Sequence, residues 1–186
     1  KDNKLVGVFY SRNYKEFNAP EYFLLSMPSY EVLGERILDG ELWAGRDNFE
    51  LMGLVRKKKP IDNEWYNIQY QVYDLIDLSK NELVFTSRIK ILKDLVKFNE
   101  KVFNIKKKNK EIIITKDIKC PLVYCNQITI KSIKQMKEYY QNIIDNNGEG
   151  IMIKQPCSVY KNGRSSEMLK YKPVIDREGI IIDYKL

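Results

Sequence analysis

The chain has 186 residues, of which 44% are hydrophobic, enough to bury the core of one domain of ordinary size. It contains no histidine, which excludes histidine acid–base chemistry and histidine metal ligands. Its net charge of +7 favours an acidic partner, with nucleic acid as the first candidate, although a lysine-rich proteome would produce the same charge.

The three cysteines, Cys120, Cys125 and Cys157, have no spacing typical of a metal site. Their odd number and the apolar run between the first two indicate buried, reduced thiols. No apolar stretch is long enough to cross a membrane, and the N-terminus KDNKLVGVFY does not have the pattern of a signal peptide. We therefore expect a soluble, intracellular protein.

The first half of the chain predicts strands joined by turns. Alternating, β-branched and aromatic residues indicate three strands, at 4–12, 37–45 and 68–77. Within the second strand, Asp39 and Gly40 predict a turn. The basic run at 56–59 predicts a solvated loop, with a surface that contacts phosphate groups as the alternative.

The second half predicts two helices and five short strands. A first helix begins at Ser87, whose side chain can cap it, and a solvated turn follows at 106–110. A second helix has an apolar face between Ile130 and Ile143 and ends at 146–148. Short apolar runs indicate strands at 111–115, 121–125, 149–154, 168–172 and 178–186. These elements predict an α+β fold, mainly antiparallel sheets with two helices outside.

The stretch from 149 to 172 combines one acid with two lysines. Lys170 and Lys172 share one face of a predicted strand, while Tyr171 points the other way, into packing. Two ammonium groups on one face repel each other unless a polyanion such as a triphosphate lies between them. Glu149 lies between two glycines, where the backbone can approach a ligand, and its carboxylate can hold the accompanying divalent metal. The alternative is that all three are ordinary surface charges.

Three residues elsewhere in the chain add to this pattern. Arg12 lies at the end of a strand, where its planar guanidinium group suits a phosphate. Glu41 follows the predicted turn and can accept hydrogen bonds from a ribose. Tyr73 lies near the end of a buried strand and can stack on a purine. None of these residues alone distinguishes a functional role from a structural one.

Together and in this order, the stretches that carry these residues resemble the ATP-dependent DNA ligase family, in its nucleotidyltransferase (adenylation) domain. The matching stretches are SRNYKEFNAP, LDGELWAGRDNFE, YQVYDL, GEGIMIKQP, YKNGRSSEMLKYKP and DREGIIIDYKL. They are most similar to the small ligases of viruses and bacteria, and the resemblance covers essentially the whole chain. RNA ligases and mRNA capping enzymes belong to the same superfamily but usually differ in these motifs.

The resemblance implies the ATP-grasp-like nucleotidyltransferase fold and a three-step reaction that uses ATP with Mg²⁺ or Mn²⁺. A lysine attacks the α-phosphate of ATP, and the resulting AMP passes to the 5′-phosphate at a nick. The 3′-hydroxyl at the nick then seals the backbone and releases AMP. The implied partners are nicked duplex DNA and ATP or AMP, and the implied protein is a monomer that acts in DNA replication or repair.

For the nucleotide, the resemblance implies that Tyr73 stacks on adenine and that Glu41 binds the ribose. Lys170 and Lys172 would hold the α-phosphate and stabilise the charge that develops on it in the transition state.

For the metal and the DNA, the resemblance implies three further roles. Glu149 would serve the divalent metal. Arg12 would contact a ribose or phosphate near the nick. Arg164 would bind a DNA phosphate, with a surface ion pair as its alternative.

The chain departs from the family pattern at both ends. The family nucleophile lies in a K-x-D-G motif, and the only similar stretch is KLVG at 4–7, with Lys4 first and Val6 in the place of the aspartate. We therefore expect the chain to begin downstream of the nucleophile and not to form lysine-AMP alone. We expect the adenylation domain at 1–182 and, at 183–186, the start of a linker to an absent OB-fold domain.

Two alternatives to a DNA ligase stay open at this point. The first is an RNA ligase or a capping-type nucleotidyltransferase, against which LDGELW and GRSSEMLKYKP argue. The second is a non-catalytic module that binds nucleotide or nucleic acid, which the missing nucleophile motif supports.

Overall fold

The computed structural model describes residues 7–79 and 82–174. The described strands are β1 (Phe9–Tyr10), β2 (Glu16–Phe17), β3 (Arg36–Trp43), β4 (Gln69–Asp77), β5 (Leu122–Tyr124), β6 (Ile151–Lys154) and β7 (Met168–Tyr171). The described α-helices are α1 (Glu21–Leu25), α2 (Tyr30–Leu33), α3 (Phe85–Lys108) and α4 (Ile133–Asp145). Two 3₁₀ helices, Phe49–Arg56 and Asp62–Trp65, lie between β3 and β4.

The central sheet has the strand order β3-β4-β5. Strands β3 and β4 are antiparallel, whereas β5 joins β4 in parallel, with Tyr70 opposite Leu122. Two smaller antiparallel sheets consist of β1-β2 and β6-β7. The predicted α+β fold with mainly antiparallel sheets is therefore confirmed, and the β4–β5 pair is its parallel exception.

The hydrophobic core lies between the central sheet and α3. Val72 and Leu75 of β4 are 0% exposed, as is Leu92 on the apolar face of α3. A second part of the same core contains Phe23 of α1 and Trp65, whose rings meet edge to face at 5.0 Å. Each fully buried side chain of this kind stabilises the fold by roughly 1.5–3 kcal/mol, so the core fixes β4 firmly against α3.

Helix α3 is longer than predicted at both ends. It begins at Phe85 rather than at Ser87, because carbonyl groups of a distant loop accept hydrogen bonds from its first N–H groups. The Phe85 N–H donates to the Ser158 carbonyl at 2.8 Å, and the Thr86 N–H donates to the Pro156 carbonyl at 3.2 Å. The predicted turn at 106–110 is wrong for its first three lysines, which form the last helical turn, where the helix dipole favours positive charge.

The predicted turn at Asp39 and Gly40 is wrong, because β3 runs through both residues as one strand. Asp39 pairs with Asp74 and Gly40 pairs with Val72, so Tyr73 is an extra residue in β4. This β-bulge is the local irregularity that the Asp-Gly pair marks. A Cβ atom on Gly40 would lie 2.5 Å from the Gln71 carbonyl oxygen, which explains the glycine.

The segment 111–115, predicted as a strand, forms no strand. Ile112 is buried at 2% exposure, but Ile113 is 80% exposed, and the Thr115 N–H bonds to the Tyr66 hydroxyl rather than to a neighbouring strand. An apolar run without a strand partner thus covers the core as irregular chain. The strand predicted at 4–12 is represented in the described residues by Phe9–Tyr10 alone.

Helix α4 confirms the second predicted helix, although it begins at Ile133. Ser132 caps it by accepting a hydrogen bond from the Gln135 N–H at 3.1 Å. The helix ends at Asp145, before the predicted stop. The strand predicted at 178–186, and Lys4, lie outside the described residues. Among the helices that the structure describes, none has the length and apolarity required to span a bilayer.

Candidate functional site

The β6–β7 sheet turns one face toward the middle of β4, at Asp74. Lys154 donates to the Asp74 carboxylate of β4, with 2.7 Å between Nζ and Oδ2. Lys154 is paired with Met168, and Met152 is paired with Lys170, so these four side chains share one face of the sheet. Lys170 therefore projects from the face that Lys154 carries against β4.

Lys172, the second lysine of the pair, directly follows the last residue of β7. Lys172 lies against Gly150, because a Cβ atom built on this glycine would be 3.0 Å from the Lys172 Cα atom. Tyr171 points to the opposite face, where its ring lies 4.5 Å from the Tyr140 ring of α4. The predicted orientation of Tyr171 is confirmed, and Lys170 and Lys172 are both exposed to solvent.

A buried charge network connects this face to the central sheet and to α3. Asp74, 1% exposed, accepts hydrogen bonds from Arg88 Nε at 2.8 Å, from Arg88 Nη2 at 3.1 Å and from Lys154. Burial opposes ionisation, but the hydrogen bonds from Arg88 and Lys154 outweigh it and hold the pKa of Asp74 below its ordinary value. Arg88 also donates to the carbonyls of Leu83 and Ser158. The network thus ties three elements together at one carboxylate.

Tyr73, the extra residue of the β-bulge, lies beside this network and is half-buried. The prediction that it lies near the end of its strand is wrong, because β4 continues to Asp77. Lys154 Nζ is 5.8 Å from the centre of its ring. Burial raises the pKa of Tyr73, and the negative charges of Asp39 and Glu41 raise it further. The hydroxyl of Tyr160 donates to Asp39 Oδ2 at 3.1 Å on the same side. The bulge therefore places an aromatic ring in a polar environment, close to Asp39 and Glu41.

Asp39 was predicted to lie in a turn and was not considered as a site residue. Burial raises its pKa above the ordinary value, while the hydrogen bond from Tyr160 and the charge of Lys154 act in the opposite direction. Sequence reasoning assigned no site role to five residues of this group: Asp39, Asp74, Arg88, Lys154 and Tyr160. A charged residue inside the buried strand β4 was the available signal, since a buried carboxylate needs cationic partners.

Glu149 is exposed and follows α4 through a tight junction. Arg46, just after β3, donates to the Asn146 carbonyl at 2.7 Å and to the Ile143 carbonyl at 3.4 Å, capping the end of α4. A Cβ atom on Gly148 would lie 2.7 Å from the Ile143 carbonyl oxygen, and one on Gly150 would lie 2.3 Å from the Tyr171 carbonyl oxygen. The glycines around Glu149 are thus required by contacts within the protein, and the expectation that they admit a ligand to the backbone is not needed to explain them.

Arg12 lies in an exposed turn, and Arg164 lies in the exposed, irregular chain between β6 and β7. Arg12 belongs to the turn between β1 and β2, and no hydrogen bond or ion pair in the described part of the chain joins its side chain to Tyr73, Lys170 or Lys172. For Arg164, the surface ion pair that was its alternative is absent from the described residues, although the neighbouring Lys161 and Glu167 form one at 2.6 Å. The DNA-binding roles of Arg12 and Arg164 stay predictions.

A divalent metal fits this site only in the manner typical of Mg²⁺. No group of three metal-ligating side chains occurs in 7–79 and 82–174. Glu149 supplies one exposed carboxylate, and Mg²⁺ is commonly bound by one or two carboxylates together with substrate phosphates and water. The donor set is therefore compatible with a metal that arrives with a nucleotide.

Comparison with solved structures supports the fold. A structure of a Lig E DNA ligase, from a study of DNA binding with a minimal scaffold, matches 88% of this chain and 54% of its own, with 23% identity and a TM-score of 0.64. Two structures named Pmar-Lig_PreS3 and Pmar-Lig_Pre match 89% of this chain and 37% of their own. Their identities are 22% and 23%, and their TM-scores are 0.65 and 0.66.

Sequence comparison leads to the family. A DNA ligase of Haemophilus influenzae is 23% identical over 172 residues, which are 92% of this chain. The chain spans about half the length of this curated relative, 54%. The family model described as the ATP dependent DNA ligase domain matches residues 3–172. This chain belongs to the ATP-dependent DNA ligase domain family.

Proposed function

We propose that this chain is the nucleotide-binding core of an ATP-dependent DNA ligase that seals nicks between a 5′-phosphate and a 3′-hydroxyl in duplex DNA. The observation that carries the proposal is that Lys154 holds the face bearing Lys170 against the middle of β4, beside Tyr73. An aromatic ring next to ammonium groups suits a purine nucleotide, whose base stacks and whose phosphates pair with cations.

Tyr73 and Glu41 bind the nucleoside in this proposal. The Tyr73 ring stacks on adenine, a contact that is worth roughly 1–3 kcal/mol per base. The Glu41 carboxylate accepts hydrogen bonds from the ribose hydroxyls. Support for this placement comes from the bulge, which sets Tyr73 apart from the regular strand pairs, and from the effect of the Glu41 charge on Tyr73.

Lys170 and Lys172 hold the α-phosphate during the chemical step. A lysine outside the assigned residues attacks the phosphorus, so that an N–P bond forms and the P–O bond to pyrophosphate breaks. The two ammonium groups stabilise the charge on the phosphate oxygens as that exchange proceeds. The same groups serve when AMP passes to the 5′-phosphate of DNA and when the 3′-hydroxyl displaces AMP.

Glu149, Arg12 and Arg164 complete the proposed site. Glu149 would hold the divalent metal, which when bound offsets phosphate charge. Arg12 and Arg164 bind DNA phosphates, in keeping with their exposed positions and with the planar donor geometry of arginine.

Isothermal titration of ATP with Mg²⁺ tests the nucleotide assignments on this chain. Lys170→Ala should weaken binding at least tenfold, since a hydrogen bond to a charged group contributes about 1.5–3 kcal/mol. Tyr73→Phe should bind like the parent, and Tyr73→Leu should bind more weakly, because leucine cannot stack. Unchanged affinity in both Lys170→Ala and Tyr73→Leu would reject the assignments.

Covalent chemistry requires a separate assay with ATP labelled at the α-phosphate. The chain should bind this ATP without retaining label after denaturation, because no nucleophilic lysine is assigned in it. Label recovered on Lys4 would show that Lys4 is the nucleophile, although Val6 stands in the place of the motif's aspartate.

A further inference from the structure

A groove on the β1–β2 side of the protein carries free positive charge. The basic groove is bounded by Gly7 and Val8, by 16–19 after the hairpin turn, by Leu24, and by 58–60, with a volume of about 430 Å³. We propose that the basic groove binds the sugar-phosphate backbone of the DNA away from the nick. This inference rests on the proposed function, because it takes nicked duplex DNA as the ligand.

The lysines of the groove have charges that the protein does not neutralise. In the run 56–59, Lys57 is held by Glu64, with 2.7 Å from Nζ to each carboxylate oxygen. Lys58 and Lys59 are exposed and have no ion pair in the described part of the chain. Adjacent like charges repel one another, and the phosphates of a DNA backbone would neutralise them. Binding would also release the counterions condensed on those phosphates, which favours the complex.

The groove is tied to the turn that carries Arg12. The Asn18 side chain donates to the Lys58 carbonyl at 2.8 Å, which joins the end of the hairpin to the basic run. The turn itself is closed by the Ser11 N–H, which donates to the Lys15 carbonyl at 2.7 Å. The basic groove and the turn are therefore parts of one surface.

Arg12 lies close enough to the basic groove for one DNA strand to reach both. Arg12 follows Tyr10 by two residues, which span at most about 7 Å, and Tyr10 pairs with the groove residue Glu16 at a Cα separation of about 5 Å. The Arg12 backbone therefore lies within about 12 Å of the groove, roughly four nucleotides of a duplex strand. One strand can therefore contact Arg12 at the nick and continue into the basic groove.

Glu16 is the opposing charge in the groove. Its carboxylate is exposed and lines the same cavity as Lys58 and Lys59. A phosphate in the groove would be repelled by it, so Glu16→Gln should increase DNA affinity. This variant adds a test of opposite sign to the lysine substitutions.

The test is fluorescence anisotropy with a labelled nicked duplex and with the same duplex without a nick, each from 50 to 200 mM salt. Lys58→Ala with Lys59→Ala should lower the slope of log affinity against log salt by about two, since each phosphate contact contributes about 0.9. Affinity should fall equally for both duplexes, and ATP affinity and the thermal midpoint should not change. Glu16→Gln should tighten binding of both.

A matched control removes the same charge elsewhere. Lys97→Ala with Lys101→Ala changes two exposed lysines of α3, a helix that does not line the groove. If this pair lowers the salt slope as much as the Lys58 and Lys59 pair does, general charge attraction explains binding and the groove assignment is overturned. An unchanged slope in the Lys58 and Lys59 variant overturns it as well.

A different result of the same experiment would reject the proposed function. A parent chain that binds ATP but neither duplex at 50 mM salt would reject DNA as the partner, and the groove assignment with it. A parent chain that binds both duplexes, while the groove variant binds them as the parent does, would reject the groove assignment alone.

Discussion

The central sheet and the β6–β7 sheet carry the two halves of the proposed site and are stabilised in different ways. In β4, Val72 and Leu75 are completely buried beneath α3, whereas every residue of β7 is exposed. Apolar burial fixes the strand that presents Tyr73. The sheet that presents Lys170 depends on its own ladder and on polar contacts such as the one from Lys154 to Asp74.

This difference predicts where the protein can adjust to a ligand. Regions with few buried apolar contacts open at lower free energy than the core does. The part of the proposed site that contains Tyr73 is thus preformed before a nucleotide binds, while the part that contains Lys170 can shift when the phosphates bind. Substitutions of Asp74 or Arg88 should disturb the whole fold, and substitutions of the exposed residues of β7 should act locally.

Asp74→Asn should have the largest effect. It removes the negative charge between Arg88 and Lys154, and an uncompensated buried charge costs about 3–5 kcal/mol. Urea denaturation should show a lower midpoint for the whole protein. The matched control is Asp117→Asn, which changes a carboxylate that is 92% exposed and pairs with Lys107. If both variants unfold at the parent's midpoint, the network does not support the fold.

The fall in stability at acidic pH should depend on the same carboxylate, Asp74. Because the pKa of folded Asp74 is below its ordinary value, the unfolded chain binds its proton first as the pH falls. The stabilisation is complete above the ordinary pKa and is lost as the pH drops through the folded value. Urea midpoints between pH 3 and pH 6 should fall more steeply for the parent than for Asp74→Asn. Parallel curves would contradict the low pKa.

Gly150→Ala should have a smaller and more local effect. A Cβ atom there would lie 2.3 Å from the Tyr171 carbonyl oxygen, and φ is +143°, a conformation that alanine rarely adopts. We expect a loss of more than about 1 kcal/mol, faster hydrogen exchange in β6–β7 and weaker binding of ATP. Exchange in β4 should stay slow.

Gly53→Ala is the control for this substitution, since no atom lies within 4 Å of its Cβ position. It should leave ATP affinity unchanged. Equal exchange in β6–β7 for the parent and Gly150→Ala would show that the glycine is dispensable.

Arg46→Ala should have the smallest effect. The guanidinium group bonds two carbonyls at the end of α4, where a positive charge typically contributes about 0.3–1 kcal/mol. Exchange of amides in the last turn of α4 should accelerate, and Arg46→Lys should restore part of the protection. Slow exchange in Arg46→Ala would show that the cap is not needed.

The sequence could predict elements whose pattern is local. Alternation indicated β4, and the apolar face with its stop signal indicated α4. The start of α3 could not be predicted, because its first N–H groups depend on the carbonyl of Ser158, far along the chain. The network could not be predicted either, since Asp74 lies 14 residues from Arg88 and 80 from Lys154.

Because of the bulge in β4, the residue proposed to recognise the base does not also have to pair with β3. Gly40 pairs with Val72 and Asp39 with Asp74, so Tyr73 takes part in no strand pair between β3 and β4. A chain that lacked Tyr73 alone would keep each of these pairings in register. The position proposed to recognise the base is therefore an insertion into an otherwise complete ladder. Changes of length and chemistry there, whether by evolution or by engineering, can alter the ligand while leaving the architecture of the sheet unchanged.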